Sequence, residues 1–258
     1  MKKFLPFVGA IAAVLFLSSC FELESIVKVN KDGSGVVEES TLVSAQLKAM
    51  MAAGAQGGGE AKMDILPTKE KATEKAATLG EGVTLKSYEE VKTPDGREGV
   101  KVTYAFTDIR TLKYAPGDAK SSADKSSITF GFEGDTVTVN LPQEKAKSED
   151  GDKPKAELPK DIEAQMAMMK PMFAGMRFHF GLASASGIAS TDATHSDGTT
   201  VTLMEMNFDK LLEKPEGFKK FAEIMEKKDM TPQQVADEFK GFDGIKIEGK
   251  EKITLKLK

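Results

Sequence analysis

The sequence predicts an α+β fold: a mainly antiparallel sheet built from hairpins, with several helices packed on it. Short segments alternate apolar and polar residues, which is the period of a half-buried strand. Tight Asp-Gly turn signals join neighbouring segments, and such turns connect antiparallel strands. Other segments repeat apolar residues at helical spacing and carry helix caps. Parallel winding is disfavoured because it needs long crossover connections, whereas most of these strands are joined by short turns.

The first hairpin is predicted close to the start of the chain. Residues 21–29 alternate, with apolar side chains on one face and Glu22, Glu24 and Lys28 on the other. The turn KDGSG at 31–35 follows, and residues 36–43 return as the partner strand.

Two helices are predicted next. Residues 45–54 form a short helix that Gly54 can end, and residues 53–62 are flexible by composition. A second helix covers 69–79, with Thr68 as its N-cap and Gly80 as its stop.

Two further hairpins follow these helices. Residues 83–93 pair with 97–109 across a Pro-Asp-Gly turn. Residues 127–133 pair with 136–142 across Gly-Asp, which sets phenylalanines opposite valines. The polar, charged and proline-punctuated segment 143–160 is predicted to be a flexible exposed loop.

The last third of the chain mixes helices and strands. A helix is predicted over about 160–173 and a strand over 176–184. Residues 187–208 contain two strands that turn at Ser196-Asp197-Gly198.

The final segment is helical and then extended. Apolar residues from Phe218 to Met225 lie on one helix face, and Thr231-Pro232-Gln233-Gln234 is a typical helix start. Residues 245–257 are predicted to form one closing strand.

The first nineteen residues have the layout of an export signal. Lys2 and Lys3 precede the apolar run 4–17, which is too short to span a bilayer. Residues 17–20, Leu-Ser-Ser-Cys, match the lipobox of bacterial lipoproteins. In proteins with this motif the chain is cut before the cysteine and its sulfur receives a diacylglyceryl group. An ordinary signal sequence that happens to precede a cysteine is the alternative.

The cysteine count supports lipidation. Cys20 is the only cysteine, so no disulfide and no Cys-x-x-Cys pair can form within the chain. Acyl chains give stable anchoring, and no later apolar run approaches 18 residues. We therefore expect residues 1–19 to be a lipoprotein signal peptide. Residues 20–258 would be one extracytoplasmic domain, tethered at the cell envelope by Cys20, on the outer membrane in a Gram-negative cell.

Three pieces of the chain together resemble the LppM-type bacterial lipoproteins, a family of mostly unknown function. They are the lipobox with its following strand and turn at 30–35, YAFTDI at 104–109, and the segment 176–206. The family often carries a tryptophan after the Asp-Gly-x-x-Val strand, which starts here at 197–201, and this chain has Leu203-Met204 at that place. The resemblance implies a surface-tethered α+β domain, sometimes compared with lipid-binding folds, and it supplies no catalytic residues.

Composition and motifs argue against several function classes. Without Lys2 and Lys3 the chain has 34 basic and 40 acidic residues, a net charge of −6, so no nucleic-acid partner is expected. His179 and His195 are the only histidines, and their patterns favour a cross-strand polar residue and an exposed turn residue. No nucleophile elbow, phosphate loop, zinc motif or calcium loop is present. We expect no enzyme activity and no cofactor.

A methionine-rich segment is the one unusual cluster. Met166, Met169, Phe173 and Met176 recur with Ile162 on one helical stripe. Core packing is one interpretation of this stripe, and an apolar face for a ligand or partner is another. A third is a Cu(I) site, which would add Met168 and Met172 as soft ligands.

The resulting expectation is a non-catalytic binding module at the envelope. Its ligand would be apolar or amphiphilic, such as a lipid, or an envelope protein would be its partner. A structural or assembly scaffold is the alternative, and a copper-binding protein is a weaker one.

Overall fold

The computed structural model describes residues 20–49, 66–115, 127–142, 173–227 and 230–258. It confirms the α+β fold class. The strands are, in chain order, β1 (Phe21–Val29), β2 (Gly35–Val43), β3 (Thr84–Lys92), β4 (Glu98–Phe106), β5 (Lys113–Tyr114), β6 (Ile128–Glu133), β7 (Thr136–Asn140), β8 (Arg177–Ser184), β9 (Ile188–Thr191), β10 (Thr200–Asn207), β11 (Ile245–Ile247) and β12 (Lys252–Leu257).

A helix lies between β2 and β3, and three lie between β10 and β11. They are α1 (Lys69–Leu79), α2 (Phe208–Leu211), α3 (Pro215–Glu226) and α4 (Pro232–Glu238), with a 3₁₀ turn at Ile109–Thr111. Residues 45–49 are also helical. Among the described residues, no helix combines the length and the apolar character that crossing a bilayer requires.

The strands form two sheets. A seven-stranded sheet has the order β11-β10-β8-β1-β2-β4-β3, and a five-stranded sheet has the order β5-β6-β7-β12-β9. Neighbours in both sheets are antiparallel except β1 and β8, which run parallel with Glu22 beside Arg177. This one parallel pair places the start of β8 next to the start of β1.

The three predicted hairpins are confirmed as β1–β2, β3–β4 and β6–β7. The first turn shows why its sequence works. The backbone N–H of Ser34 donates to Asp32 Oδ1 at 3.0 Å, and Gly33 takes a φ of 82° that side chains rarely adopt. The strand predicted over 97–109 ends at Phe106, because Asp108 caps the 3₁₀ turn instead.

The predicted helix caps are also confirmed. Thr68 Oγ1 accepts from the Lys71 N–H at 3.3 Å at the start of α1. Thr231 and Gln234 form a reciprocal capping box at α4, with the Thr231 N–H donating to Gln234 Oε1 at 2.8 Å. The predicted polar loop at 143–160 and nearly all of the helix at 160–173 lie outside the described residues. That residues 20–258 form one domain stays a prediction.

Two predictions about strands at the C-terminal side are wrong in part. Residues 187–208 do contain two strands, but β9 pairs with β12 and β10 pairs with β8, so the two strands belong to different sheets. The single strand predicted over 245–257 is divided into β11 and β12, again in different sheets. The break lies at Glu248 and Gly249, where a side chain on Gly249 would clash with Gln233.

Buried Glu248 joins two of the connections between the sheets, the one from β9 to β10 and the one from β11 to β12. Glu248 is only 3% exposed. Glu248 Oε2 accepts from the Thr194 N–H at 2.6 Å, and Oε1 accepts from the Thr194 hydroxyl at 2.9 Å and the Lys250 N–H at 3.2 Å. The carboxylate therefore holds the 192–199 segment against the 248–251 segment.

The apolar core consists of two clusters. The larger one lies on the inner faces of both sheets, with Val27, Tyr104 and Leu182 fully buried. The smaller one gathers the short helices around Phe208, Leu211, Phe218, Phe239 and Ile245, beside the ends of β8, β10 and β11. Burial of these side chains is the main stabilising contribution to both regions.

Candidate functional site

Cys20, the residue predicted to be lipidated, is the first residue of the described range 20–49 and is held by two backbone hydrogen bonds. Its backbone N–H donates to the Ala174 carbonyl at 3.1 Å, and its own carbonyl accepts from the Ser44 N–H at 2.9 Å. Strand β1 begins at the next residue. The attachment point of the predicted lipid is therefore part of the domain and has no spacer after it.

An apolar region adjoins Cys20. We define the apolar strip as Phe21, Leu23, Phe173, Met176 and Phe178, all of which are half-buried. The rings of Phe21 and Phe178 are 5.5 Å apart, and Phe173 stacks on buried Phe208 at 5.1 Å. The Phe178 and Phe208 rings, 6.3 Å apart, join these two pairs into one series of contacts.

Strand register places Leu23 in this strip. Odd-numbered residues of β1 face the core, since Val27 and Val29 on that face are buried. Leu23 lies directly beside Phe178 of β8, which in turn lies beside Met206 of β10. Toward this end of the inner face, burial of β1 falls from complete at Val27 to partial at Leu23 and Phe21. The strip is thus continuous with the core but incompletely covered.

The predicted apolar-ligand face is only partly described. Phe173 and Met176 pack against the smaller apolar cluster, while Met166 and Met169 lie outside the described residues. No local motif in the sequence marks Phe21, Leu23 and Phe178 as site residues. Alternation correctly placed them on one face of their strands, but only the packing shows which end of that face is left partly open.

The outer face of the seven-stranded sheet is polar around this end. Arg97 Nη1 donates to Glu22 Oε2 at 2.7 Å, and Arg177 lies 3.3 Å from Glu205. His179 Nδ1 is 3.1 Å from Glu24 Oε1, and this hydrogen bond is the main cause that lowers the pKa of Glu24. His179 is therefore a cross-strand polar residue, as predicted. The other histidine, His195, is half-buried in the loop before β10, so the prediction that it is exposed is wrong.

Two lysines share one carboxylate beside the start of β4. Glu98 Oε2 is 2.5 Å from Lys48, and Glu98 Oε1 is 2.7 Å from Lys92. Hydrogen bonds from Lys48 and then from Lys92, with their positive charges, lower the pKa of Glu98 from 4.5 to about 2. The group carries one net positive charge at neutral pH.

This pKa predicts a pH-dependent contribution to stability. Because the folded pKa lies below the unfolded one, ionised Glu98 stabilises the fold above about pH 4.5, and this contribution is lost as the pH falls towards 2. We expect Glu98→Gln to lower the melting temperature at pH 7 and to match the unmutated protein near pH 2. Melting curves from pH 7 to pH 2 at low salt measure the difference.

Glu90→Gln is the matched control for that series. Glu90 is an exposed carboxylate on neighbouring β3 and pairs with no cation in the described part of the chain. Its melting-temperature difference from the unmutated protein should be small at every pH. A difference for Glu98→Gln that stays the same from pH 7 to pH 2 would contradict the assignment.

One cavity lies at the helical end, away from the apolar strip. Its volume is about 170 Å³, and its walls include Lys210, Lys214, Lys240, Glu216 and Asp243. Drug-sized ligands occupy larger and mostly apolar pockets of roughly 300–1,000 Å³. This cavity is therefore too small for a lipid chain.

The described residues also bear on whether the chain has a metal site. Within the described ranges, no three or more His, Cys, Asp or Glu side chains are arranged to hold a metal ion. The methionines of the copper hypothesis lie outside those ranges, except Met176, which packs in the smaller apolar cluster.

Comparisons with known proteins add little to this description. No protein-family model matches the chain, and no curated protein matches it. The chain is similar to the NMR structure of the folded domain of the LppM protein from Mycobacterium tuberculosis. That similarity covers 73% of this chain and 83% of that one, at 11% identity and a TM-score of 0.33.

A second similar structure is an M1 zinc metallopeptidase from Deinococcus radiodurans. It matches at 11% identity and a TM-score of 0.26, over 73% of this chain and 40% of that one. Both TM-scores are too low to show a common fold or function. The first neighbour bears the name of the family that the sequence motifs resemble, and membership of that family stays a prediction.

Proposed function

We propose that the protein is a lipid-anchored lipoprotein of the bacterial envelope whose domain is a non-catalytic binding module for an amphiphilic ligand. The observation that carries the proposal is the half-buried apolar strip, which begins at the residue directly after Cys20. A surface-tethered domain with an incompletely covered apolar face suits a ligand supplied by the membrane.

The anchor is compatible with the backbone contacts of Cys20. Neither of its backbone hydrogen bonds uses the sulfur, and an N-acylated cysteine keeps the N–H that donates to Ala174. The thiol itself is buried, with Cys20 only 8% exposed. A sulfur carrying two acyl chains cannot stay in that position, so lipidation would turn the side chain outward and leave the backbone in place.

The ligand class follows from the strip and its surroundings. Phe21, Leu23 and Phe178 offer aliphatic and aromatic contacts, and burying the surface that they still expose against a ligand stabilises a complex by roughly 25 cal/mol per Å². Charged Glu22 and Arg97 lie on the other face of the same sheet end. A molecule with an apolar chain and a polar head fits this pairing better than a wholly polar one.

The test is ligand retention by Leu23→Gln, measured in the Cys20→Ser chain lacking residues 1–19. After incubation with an envelope lipid extract, native mass spectrometry should show lipid bound to the parent chain. Leu23→Gln should lose most of that lipid, because it places an amide in the apolar strip.

Ile26→Gln is the matched control. Ile26 is half-buried on the same strand but faces the opposite side of the sheet, so its variant should retain lipid. Equal retention by Leu23→Gln and Ile26→Gln would exclude the strip as the site. A bare mass for all three chains would instead favour the scaffold function, and a copper adduct after a separate incubation with Cu(I) would favour the methionine-rich segment as a metal site.

A further inference from the structure

We infer that the domain stands on the bilayer with one defined end, the end where β1 begins, facing a phospholipid surface. The inference rests on the proposed anchor and adds an orientation to it. We call this the anchor end and define it by Cys20, Phe21, Val43, Glu98 and Arg177. The apolar strip then opens beside the lipid from which its ligand would come.

Cys20 is followed directly by strand β1, with no spacer between them. A flexible linker would let the domain tumble at some distance from the membrane. Here Cys20 is hydrogen-bonded to Ala174 on one side and to Ser44 on the other. An acyl chain inserted in the bilayer therefore holds these backbone segments within a side-chain length of the headgroups.

Sheet register identifies what else lies at that end. Phe21 is beside Val43, and Val43 is beside Glu98. On the other side, Glu22 is beside Arg177, and Arg177 is beside Asn207. The starts of β1, β4 and β8 and the ends of β2 and β10 therefore meet around Cys20.

The chemistry of the anchor end suits a phospholipid surface. Phe21 and Phe178 give a partly exposed aromatic pair, and Phe side chains insert at the boundary of headgroups and acyl chains in membrane-surface helices. Lys48 and Lys92 around Glu98 carry one net positive charge, although the domain from residue 20 onward carries −6. This net positive charge is attracted to anionic headgroups at a membrane surface.

The opposite end of the same hairpin is far enough away to serve as a reference. The nine residues of β1 separate Cys20 from the turn at Asn30–Gly33. At roughly 3.3 Å per residue, the two ends are about 30 Å apart. Gln46 lies two residues after Ser44, at the anchor end, and Lys31 lies in the distal turn. Both residues are exposed.

The experiment places a fluorophore at each end of the lipidated full chain. Cys20 is the only cysteine and its sulfur is consumed by the lipid, so Gln46→Cys and Lys31→Cys each carry one labelling site. The labelled proteins are reconstituted in phosphatidylethanolamine–phosphatidylglycerol vesicles containing a lipid with a nitroxide on its headgroup. We expect the Gln46 probe to lose most of its fluorescence and the Lys31 probe to keep nearly all of it.

Vesicle flotation separates failure of the anchor from failure of the orientation. Protein that does not float with vesicles would refute the proposed anchor and this inference with it. Protein that floats but shows equal quenching at both probes, or stronger quenching at Lys31, would refute the orientation alone. Floating protein quenched only at Gln46 supports both.

Discussion

Replacing Cys20 by serine is expected to move the protein almost completely from the membrane fraction to the soluble fraction. Each buried CH₂ of an acyl chain contributes about 0.8 kcal/mol to membrane binding, so two or more chains give stable anchoring. Fractionation of cells that express the full chain, followed by immunoblotting, measures the change.

Ser44→Ala is the control for that experiment. Ser44 lies next to Cys20, and its hydroxyl accepts from the Leu47 N–H at 3.1 Å. This variant perturbs the same end of the domain but leaves residues 17–20 unchanged, so it should stay in the membrane fraction. Retention of Cys20→Ser in the membrane pellet would contradict lipid anchoring through this residue.

Replacing Glu248 by alanine is expected to cause the largest loss of folding stability. The carboxylate accepts from two backbone N–H groups and one hydroxyl in a residue that is 3% exposed. Removing it leaves those donors without their acceptor, and an unsatisfied buried group costs roughly 1–3 kcal/mol. We expect a total loss of about 1–3 kcal/mol, because Thr194 and Lys250 are exposed residues and water can satisfy part of what their donors lose. Urea denaturation should show a lower midpoint with an unchanged slope.

Glu251→Ala separates this effect from the loss of a negative charge. Glu251 lies three residues further on in the same connection and is exposed, so its variant should change stability by less than about 0.5 kcal/mol. Glu248→Gln should fall between the two, because an amide keeps one acceptor but turns an NH₂ group towards a donor. Equal stability of Glu248→Ala and Glu251→Ala would show that Glu248 does not hold the two connections together.

Local signals in the sequence predicted local structure well. The Thr68 and Thr231 caps and the Asp32 turn depend on atoms within three residues of each other, so the sequence contains all the information needed. The same is true of the three hairpins, because a short turn fixes which strands pair.

Long-range pairings could not be predicted in this way. In the segment 245–257, apolar residues occupy Ile245, Ile247, Ile253, Leu255 and Leu257, so the alternation continues with the same parity through the break. Glu248 occupies a polar position of that pattern. Its carboxylate is nevertheless buried, and it accepts hydrogen bonds from distant Thr194. The parallel pairing of β1 with β8 likewise depends on residues about 155 positions apart, as in Glu24 and His179.

The candidate site shows the same division. The lipobox is a local motif, so the sequence alone selected Cys20. The apolar strip depends on where the smaller cluster stops covering the sheet, which is a property of packing around Phe208 and Phe178. Helical spacing points to Phe173 and Met176, and their contact with that cluster agrees with the core-packing interpretation of the stripe.

The most direct measurement is the mass of the N-terminal peptide of the protein extracted from bacterial membranes. Lipid anchoring through Cys20 predicts that this peptide begins at Cys20 and carries the added mass of a diacylglyceryl group on sulfur. A peptide that extends into residues 1–19, or one that begins at Cys20 with an unmodified thiol, would contradict it.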